Sequence, residues 1–244
     1  MLEFTICLAG KRIGICCEYE RTRNYCADYL TREPADFCIT CGPEDLLREQ
    51  ELALKSDPDC GCISPALLEQ AAVYRKIADR MIEYDTLLFH GSVVSLDGEG
   101  YLFTAPSGTG KSTHVRLWRE VFGHRAVTVN DDKPLLKITE NGVYACGTPW
   151  NGKHRLGENI CVPLKAICIL ERGEENQIAS IPAKEALLML MQQSNRPRNP
   201  KLMPKYMELI DALARKTSFY RLACNMEPDV ARVAYETMSG KERT

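Results

Sequence analysis

The sequence predicts an α/β protein: a P-loop nucleotide-binding core with a mixed, hairpin-rich sheet, preceded by a small α+β module. Three observations carry this. An apolar strand-like stretch, Tyr101 to Thr104, runs through Ala105-Pro106-Ser107-Gly108-Thr109-Gly110-Lys111-Ser112 into a helix-like stretch, 113–122. Beyond it, short strand-like runs alternate with amphipathic helices, which is how an α/β domain covers its sheet. Ahead of residue 63 the texture differs, with short elements and eight of the 12 cysteines.

At 244 residues, 45% hydrophobic and 26% charged, the chain has the composition of an ordinary globular protein. A net charge of −2 argues against a broad nucleic-acid or membrane surface. No apolar run approaches the ~18 residues of a membrane span, and the opening Met1-Leu2-Glu3 is not that of a signal peptide. The expectation is therefore a cytosolic protein with reduced thiols, without nucleic-acid or membrane partners. A homo-oligomer is compatible with this composition.

In chain order, the runs 4–8 and 12–16 flank Ala9-Gly10-Lys11 and predict a hairpin. A short helix over 20–30, a strand over 37–40 and a helix over 43–54 follow. Ser56-Asp57-Pro58-Asp59-Cys60-Gly61 is turn-rich and marks an internal boundary, giving a module of 1–62 and a core of 63–244. The core opens on a helical lead-in over 65–84, with Leu68, Ala72, Ile77, Met81 and Tyr84 near helical spacing. Cys38, Cys41, Cys60 and Cys62 have spacing that suits a four-thiolate zinc site; the same thiols also read as small apolar or incidental residues.

From Leu87 to Leu96 a strand is expected, turning at 97–100 into Tyr101–Thr104. Pairing Leu96 with Tyr101 sets His90 opposite Ser107, beside the Gly-rich loop, although a lone histidine near a strand end also reads as structural. That loop has the makings of a phosphate cradle: Pro106, Ser107, Gly108, Thr109, Gly110, Lys111, Ser112 and Thr113 let backbone N–H groups converge, and the following helix points its positive end at the anion. Lys111 would reach the β- and γ-phosphates of a nucleoside triphosphate and Ser112 would ligate Mg²⁺. The strict motif has glycine where Ala105 stands.

The helix 113–122 buries Val115, Trp118, Val121 and Phe122, and the strand 126–130 ends in Asp131-Asp132. A carboxylate ending an apolar strand is how phosphate-loop proteins hold Mg²⁺, so Asp131 is the candidate metal residue with Ser112. Asp132 is then free to take a proton from an attacking hydroxyl; the pair also reads as a turn-forming cluster. Asn141-Gly142 predicts a second hairpin, 135–139 with 143–146, whose return delivers Gly147 to Arg155 toward the aspartates. There Lys153 and Arg155 are candidate phosphoryl or substrate contacts, or else a solvated basic turn. A strand over 165–170, helices over 183–193 and 206–215, a strand over 218–224 and a closing helix over 228–238 complete the core.

His90-Gly91, then Pro106 to Thr113, then Asn130-Asp131-Asp132, then Gly147-Thr148-Pro149-Trp150 resemble the HPr kinase/phosphorylase-like family, whose core is shared with ATP-dependent phosphoenolpyruvate carboxykinases. The resemblance spans about residues 87–225. It implies a fold of that type, ATP and Mg²⁺ as cofactors, and catalytic roles for Asp132, His90 and Lys111. It further implies transfer of the γ-phosphoryl group to a hydroxyl, that of a serine, in a protein or peptide acceptor. Relatives of this core modify precursor peptides in peptide natural-product synthesis. Ala105 and the lack of a phosphorylase signature depart from the pattern. A non-catalytic nucleotide-binding module and a small-molecule kinase on the same core are the alternatives, and the N-terminal module is expected to recognise the acceptor or a partner.

Overall fold

A computed structural model describes residues 1–152 and 155–240. Its contacts group the chain into two units, Met1–Arg80 and Met81–Thr244.

In the first unit, β1 (Leu2–Leu8) and β2 (Lys11–Cys17) form the expected hairpin. Ala9 and Gly10 both have positive φ, 50° and 79°, as a two-residue turn between right-twisted strands requires. After α1 (Glu20–Tyr25) and a 3₁₀ turn, β3 (Leu30–Thr31) joins β1, and β4 (Phe37–Thr40) runs parallel to β2, giving the order β3-β1-β2-β4. Two helices follow, α2 (Pro43–Ser56) and α3 (Pro65–Met81).

Helix α3 corrects the expected boundary. Taken from sequence as the lead-in to the core, it groups with the N-terminal unit, so the division falls at 80/81 and not at 62/63. The reason is a buried carboxylate. Glu69 accepts from the backbone N–H groups of Glu18 and Tyr19 and from the Thr22 hydroxyl, while Lys76 donates to the Thr40 carbonyl at 2.7 Å. The four candidate zinc thiols do not converge: Cys41 is buried, Cys38 lies against Gly14, and Cys60 and Cys62 contact neighbouring carbonyls. Among the described residues no three His, Cys, Asp or Glu side chains are placed to hold a metal ion.

The second unit is a nine-stranded mixed sheet. Its main path is β5 (Thr86–Leu88), β9 (Leu135–Thr139), β10 (Gly142–Cys146), β11 (Cys161–Arg172), β7 (Glu99–Thr104), β6 (Ser92–Leu96) and β8 (Ala126–Asn130). Off that path β13 (Ser218–Cys224) runs parallel to β11, and β12 (Gln177–Ile181) pairs antiparallel with β13. The strand β12 escapes sequence reading because none of its five residues is fully buried. The single strand expected over 87–96 is two: β5 pairs with β9, β6 with β7 and β8, and His90-Gly91 lies at the break.

Helices cover both faces of this sheet: α4 (Lys111–Phe122) and α7 (Asp229–Ser239) on one, α5 (Ala183–Gln193) and α6 (Met203–Lys216) on the other. The strands consequently alternate between two cores instead of between core and water. Val94, Tyr101, Phe103 and Cys168 face α4 and α7, while Val93, Leu102 and Ile167 face α5 and α6. Cys146 and Cys161 stand directly opposite on β10 and β11 and form a disulfide, which corrects the expectation of free thiols throughout. Among the described residues no helix is long and apolar enough to cross a membrane.

Trp118 centres the α4 core, against Tyr101 at 5.1 Å and Phe103 at 5.4 Å between ring centroids. Its indole N–H donates to Nε2 of buried His114, so that nitrogen must be unprotonated. Burial holds His114 down to about 3 against an ordinary 6.5. Because the folded value is depressed, acid favours the unfolded chain: this stability is whole above pH 6.5 and is lost as pH falls toward 3. Between pH 6.5 and 5 the wild type should lose about 2 kcal/mol more than His114→Gln, measured by urea unfolding. Identical pH profiles for the two proteins would contradict a neutral buried imidazole.

Candidate functional site

The site lies where β7 and β8 end. Strand β7 passes into the loop 105–110, and α4 begins at once at Lys111. Gly108 and Gly110 sit at φ of 79° and 116°, a region closed to most side chains, which is why the loop needs glycine at those two positions. Ala105 does not share that requirement. It is buried in the α4 core at ordinary φ, so its methyl group is packed and the departure from the strict motif is accommodated. Pro106, Ser107 and Ser112 are exposed, and Thr109 closes the loop by bonding the Pro106 carbonyl through both its N–H and its hydroxyl. Lys111 is buried and folds back onto its own loop, its Nζ 2.9 Å from the Ala105 carbonyl and 3.4 Å from that of Pro106. Burial lowers its pKa; Asp132 and Asp131 oppose that, and Lys133 adds to it.

Strand β8 carries the carboxylates, and Asn130, absent from the candidate residues, arranges them. It is fully buried. Its Oδ1 accepts the N–H groups of Asp132 at 2.9 Å and Lys133 at 2.6 Å, bending the chain sharply after the strand. Its Nδ2 donates to the carbonyl and hydroxyl oxygens of Thr148, and that hydroxyl donates to the Lys133 carbonyl at 2.7 Å. The end of β8 is thus tied to the loop that follows β10. The two aspartates part company here: Asp131 is 5% exposed, whereas the Asp132 side chain is 38% exposed. The Asp131 carbonyl accepts from the Ser92 hydroxyl and that of Asp132 from the Gly91 N–H, so the start of β6 and the residue before it hold both.

His90 reaches the same place by a different register from the one expected. In the β6–β7 hairpin Leu96 pairs with Glu99, because Asp97 and Gly98 form a two-residue turn with positive φ at both positions. Extending the pairing sets His90 beside Ala105 rather than Ser107. A two-residue shift preserves the face. Its Nδ1 lies 2.7 Å from Oε1 of Gln193 at the end of α5; an amide oxygen only accepts, so Nδ1 carries the proton. Nε2 lies 3.6 Å from Oδ1 of Asp132, a contact that becomes an ion pair when the ring is protonated. Burial, followed by Lys133 and Lys111, lowers the His90 pKa, while Gln193 and Asp132 oppose it. Gln193 left no signal in the sequence, since its α5 helix is more than 100 residues away.

The second hairpin is likewise tighter by two, with Cys146 opposite Leu135, so the chain returns at Pro134. The loop beyond covers the edge strand β8: a Cβ at Gly147 would run into the Glu158 carbonyl and lie 2.9 Å from that of Val129, and one at Gly152 would lie 2.8 Å from Oδ2 of Asp131. Arg155 is exposed, at φ 48°, with its N–H bonded to the Gly152 carbonyl. Lys153 lies outside the described residues.

Lys111, His90, Asp131, Asp132 and Lys133 therefore gather from separate segments of the chain at one end of the sheet, around a strand–loop–helix whose glycines are required by backbone conformation. A family profile described as "SynChlorMet cassette protein ScmC" matches residues 64–235, and the chain belongs to that family. No curated protein matches the sequence. Among solved structures, the Hpr(Ser) kinase/phosphatase from Coxiella burnetii is 15% identical, with a TM-score of 0.31, over 51% of this chain and 93% of that one, a likeness too slight to bear on activity.

Replacing Asn130 with Ala should strand the N–H groups of Asp132 and Lys133 and take one of its two donors from the Thr148 carbonyl, which Asn151 still meets, lowering stability by about 2 kcal/mol in urea unfolding. Asn130→Asp keeps both acceptor bonds but buries a charge and sets an oxygen against the Thr148 carbonyl, so it too should be less stable than wild type. An Ala variant as stable as the parent would show that other bonds hold the end of β8.

Proposed function

We propose that this protein is a phosphotransferase that moves the γ-phosphoryl group of ATP, or another nucleoside triphosphate, onto a hydroxyl, that of a serine in a protein or peptide acceptor. The observation that carries this is the meeting of Lys111 and its glycine loop with two carboxylates in unlike environments, one buried and one open. Positioning and charge neutralisation are what phosphoryl transfer asks of a protein.

The Ser112 hydroxyl and the Asp131 carboxylate are hard oxygen donors, a set that suits Mg²⁺. They would hold it, and it would supply neutralisation of phosphate charge. Lys111, released from the loop carbonyls it now bonds, would reach the phosphate chain. Asp132, more open to solvent, would accept the hydroxyl proton, and His90, whose Nε2 lies 3.6 Å from the same carboxylate, would orient it. The proton leaves the acceptor oxygen for Asp132 Oδ1 as that oxygen bonds to phosphorus and the bond to the leaving diphosphate breaks. Arg155 belongs to the loop beside Asp131 and is a candidate contact for the acceptor.

Incubation with MgATP and candidate peptides, read as a mass gain of about 80 Da on the acceptor, tests the activity. Asp132→Asn keeps size and cannot take up the proton, so nucleotide should still bind while transfer falls by about 10²- to 10⁴-fold. Asp131→Asn should instead raise the Mg²⁺ concentration needed. Lys111→Ala should abolish turnover and weaken triphosphate binding. Transfer that survives both aspartate substitutions would remove these carboxylates from the reaction, and nucleotide binding by the wild type with no transfer to any hydroxyl would leave a nucleotide-binding module and no kinase.

A further inference from the structure

The sheet order gives the loop 105–110 two flanks. On the side of β6 and β8 lie the carboxylates. On the side of β11 and β13 lies a cavity of about 590 Å³, within the range of small-molecule sites, that shares Gly108 and Gly110 with the loop itself and Thr113 with the helix it opens. Its floor is apolar, from Leu117 of α4 and Leu170 of β11. Cys224, at the end of β13, and Met226, 69% exposed, form the far wall. An anion chain lying on the loop with its terminal group at Asp132 therefore points its other end at this cavity.

We infer that the cavity seats the nucleoside of the triphosphate and holds the base by shape and apolar contact, so that adenine and guanine nucleotides are accepted alike. This rests on the phosphoryl-transfer reading above and adds to it where the nucleoside lies and what selects it. The rim explains the lack of selectivity. Asn225, the one amide side chain among the described residues lining the cavity, has both ends engaged: Nδ2 donates to the Glu174 carbonyl at 3.1 Å and Oδ1 accepts the Glu227 N–H at 2.9 Å. Those bonds fix it in the loop, and the N–H and lone pair left over can meet an acceptor or a donor, so the amide does not by itself tell the purines apart. Arg172 donates to the Gly108 carbonyl at 3.1 Å, tying the cavity rim to the phosphate loop. Its remaining N–H groups suit ring-nitrogen acceptors that both purines carry. Met226 is a flexible, polarisable cover suited to a flat ring.

Calorimetric titration of the full chain with MgATP, MgGTP and magnesium tripolyphosphate, which has the phosphates and no nucleoside, tests this. ATP and GTP should bind within about threefold of each other, and Met226→Ala should weaken both about five- to tenfold while leaving tripolyphosphate unchanged. The side chain is exposed, so the variant is expected to fold. If Met226→Ala weakens tripolyphosphate equally, or weakens no ligand, the nucleoside does not sit in this cavity and the inference fails alone. A preference of more than about tenfold between ATP and GTP would overturn the claim about selectivity. Failure of the wild type to bind either ATP or tripolyphosphate would overturn the phosphoryl-transfer reading, and this inference with it.

Discussion

One buried amide organises the site. Asn130 ends the strand β8 at the edge of the sheet, and its side chain makes four hydrogen bonds there, two accepted from the chain just ahead and two donated to Thr148. With the bonds from Ser92 and Gly91 to the Asp131 and Asp132 carbonyls, it turns the segment bearing the two aspartates toward the glycine loop. The same bonds hold the loop after β10 against β8, and that loop in turn shields an edge that would otherwise expose its backbone groups. Position in the sheet and position of the carboxylates are therefore one constraint.

Around that fixed point, chemistry is divided by burial. The two aspartates are neighbours in sequence, yet one is enclosed against Gly152 and the other stands open beside His90 and Lys133. A buried carboxylate needs a compensating cation or hydrogen bond, whereas an open one can exchange protons with an incoming group. The division of labour proposed for them rests on this difference in surroundings. Lys111 bonds the Ala105 and Pro106 carbonyls of its own loop, from which the proposed reaction would release it.

The strand–loop–helix was legible because its signals are local: glycines where φ must be positive, a strand before and a helix after. The hairpins were legible too, but their registers are two residues tighter than expected, at Asp97-Gly98 and again at Glu140-Asn141. Since side chains alternate, that difference moves His90 along the strand and leaves it on the same face. Other features depend on residues far apart in the chain. The Cys146–Cys161 bridge comes from the β10–β11 pairing, Gln193 meets His90 only because α5 ends beside the break between β5 and β6, and α3 belongs to the first unit because Glu69 caps backbone groups at 18 and 19.

The sequence by itself determined the α/β class, most elements of the core, the glycine loop with Lys111, and the carboxylates that end β8. These rest on backbone conformation and periodicity, which neighbouring residues dictate. Only the tertiary structure decided which aspartate is buried, which nitrogen of His90 carries the proton, where the units divide, and that a cavity opens on the far flank of the loop. Those outcomes depend on desolvation and on hydrogen-bond partners drawn from other strands and helices, and no stretch of the chain encodes them alone.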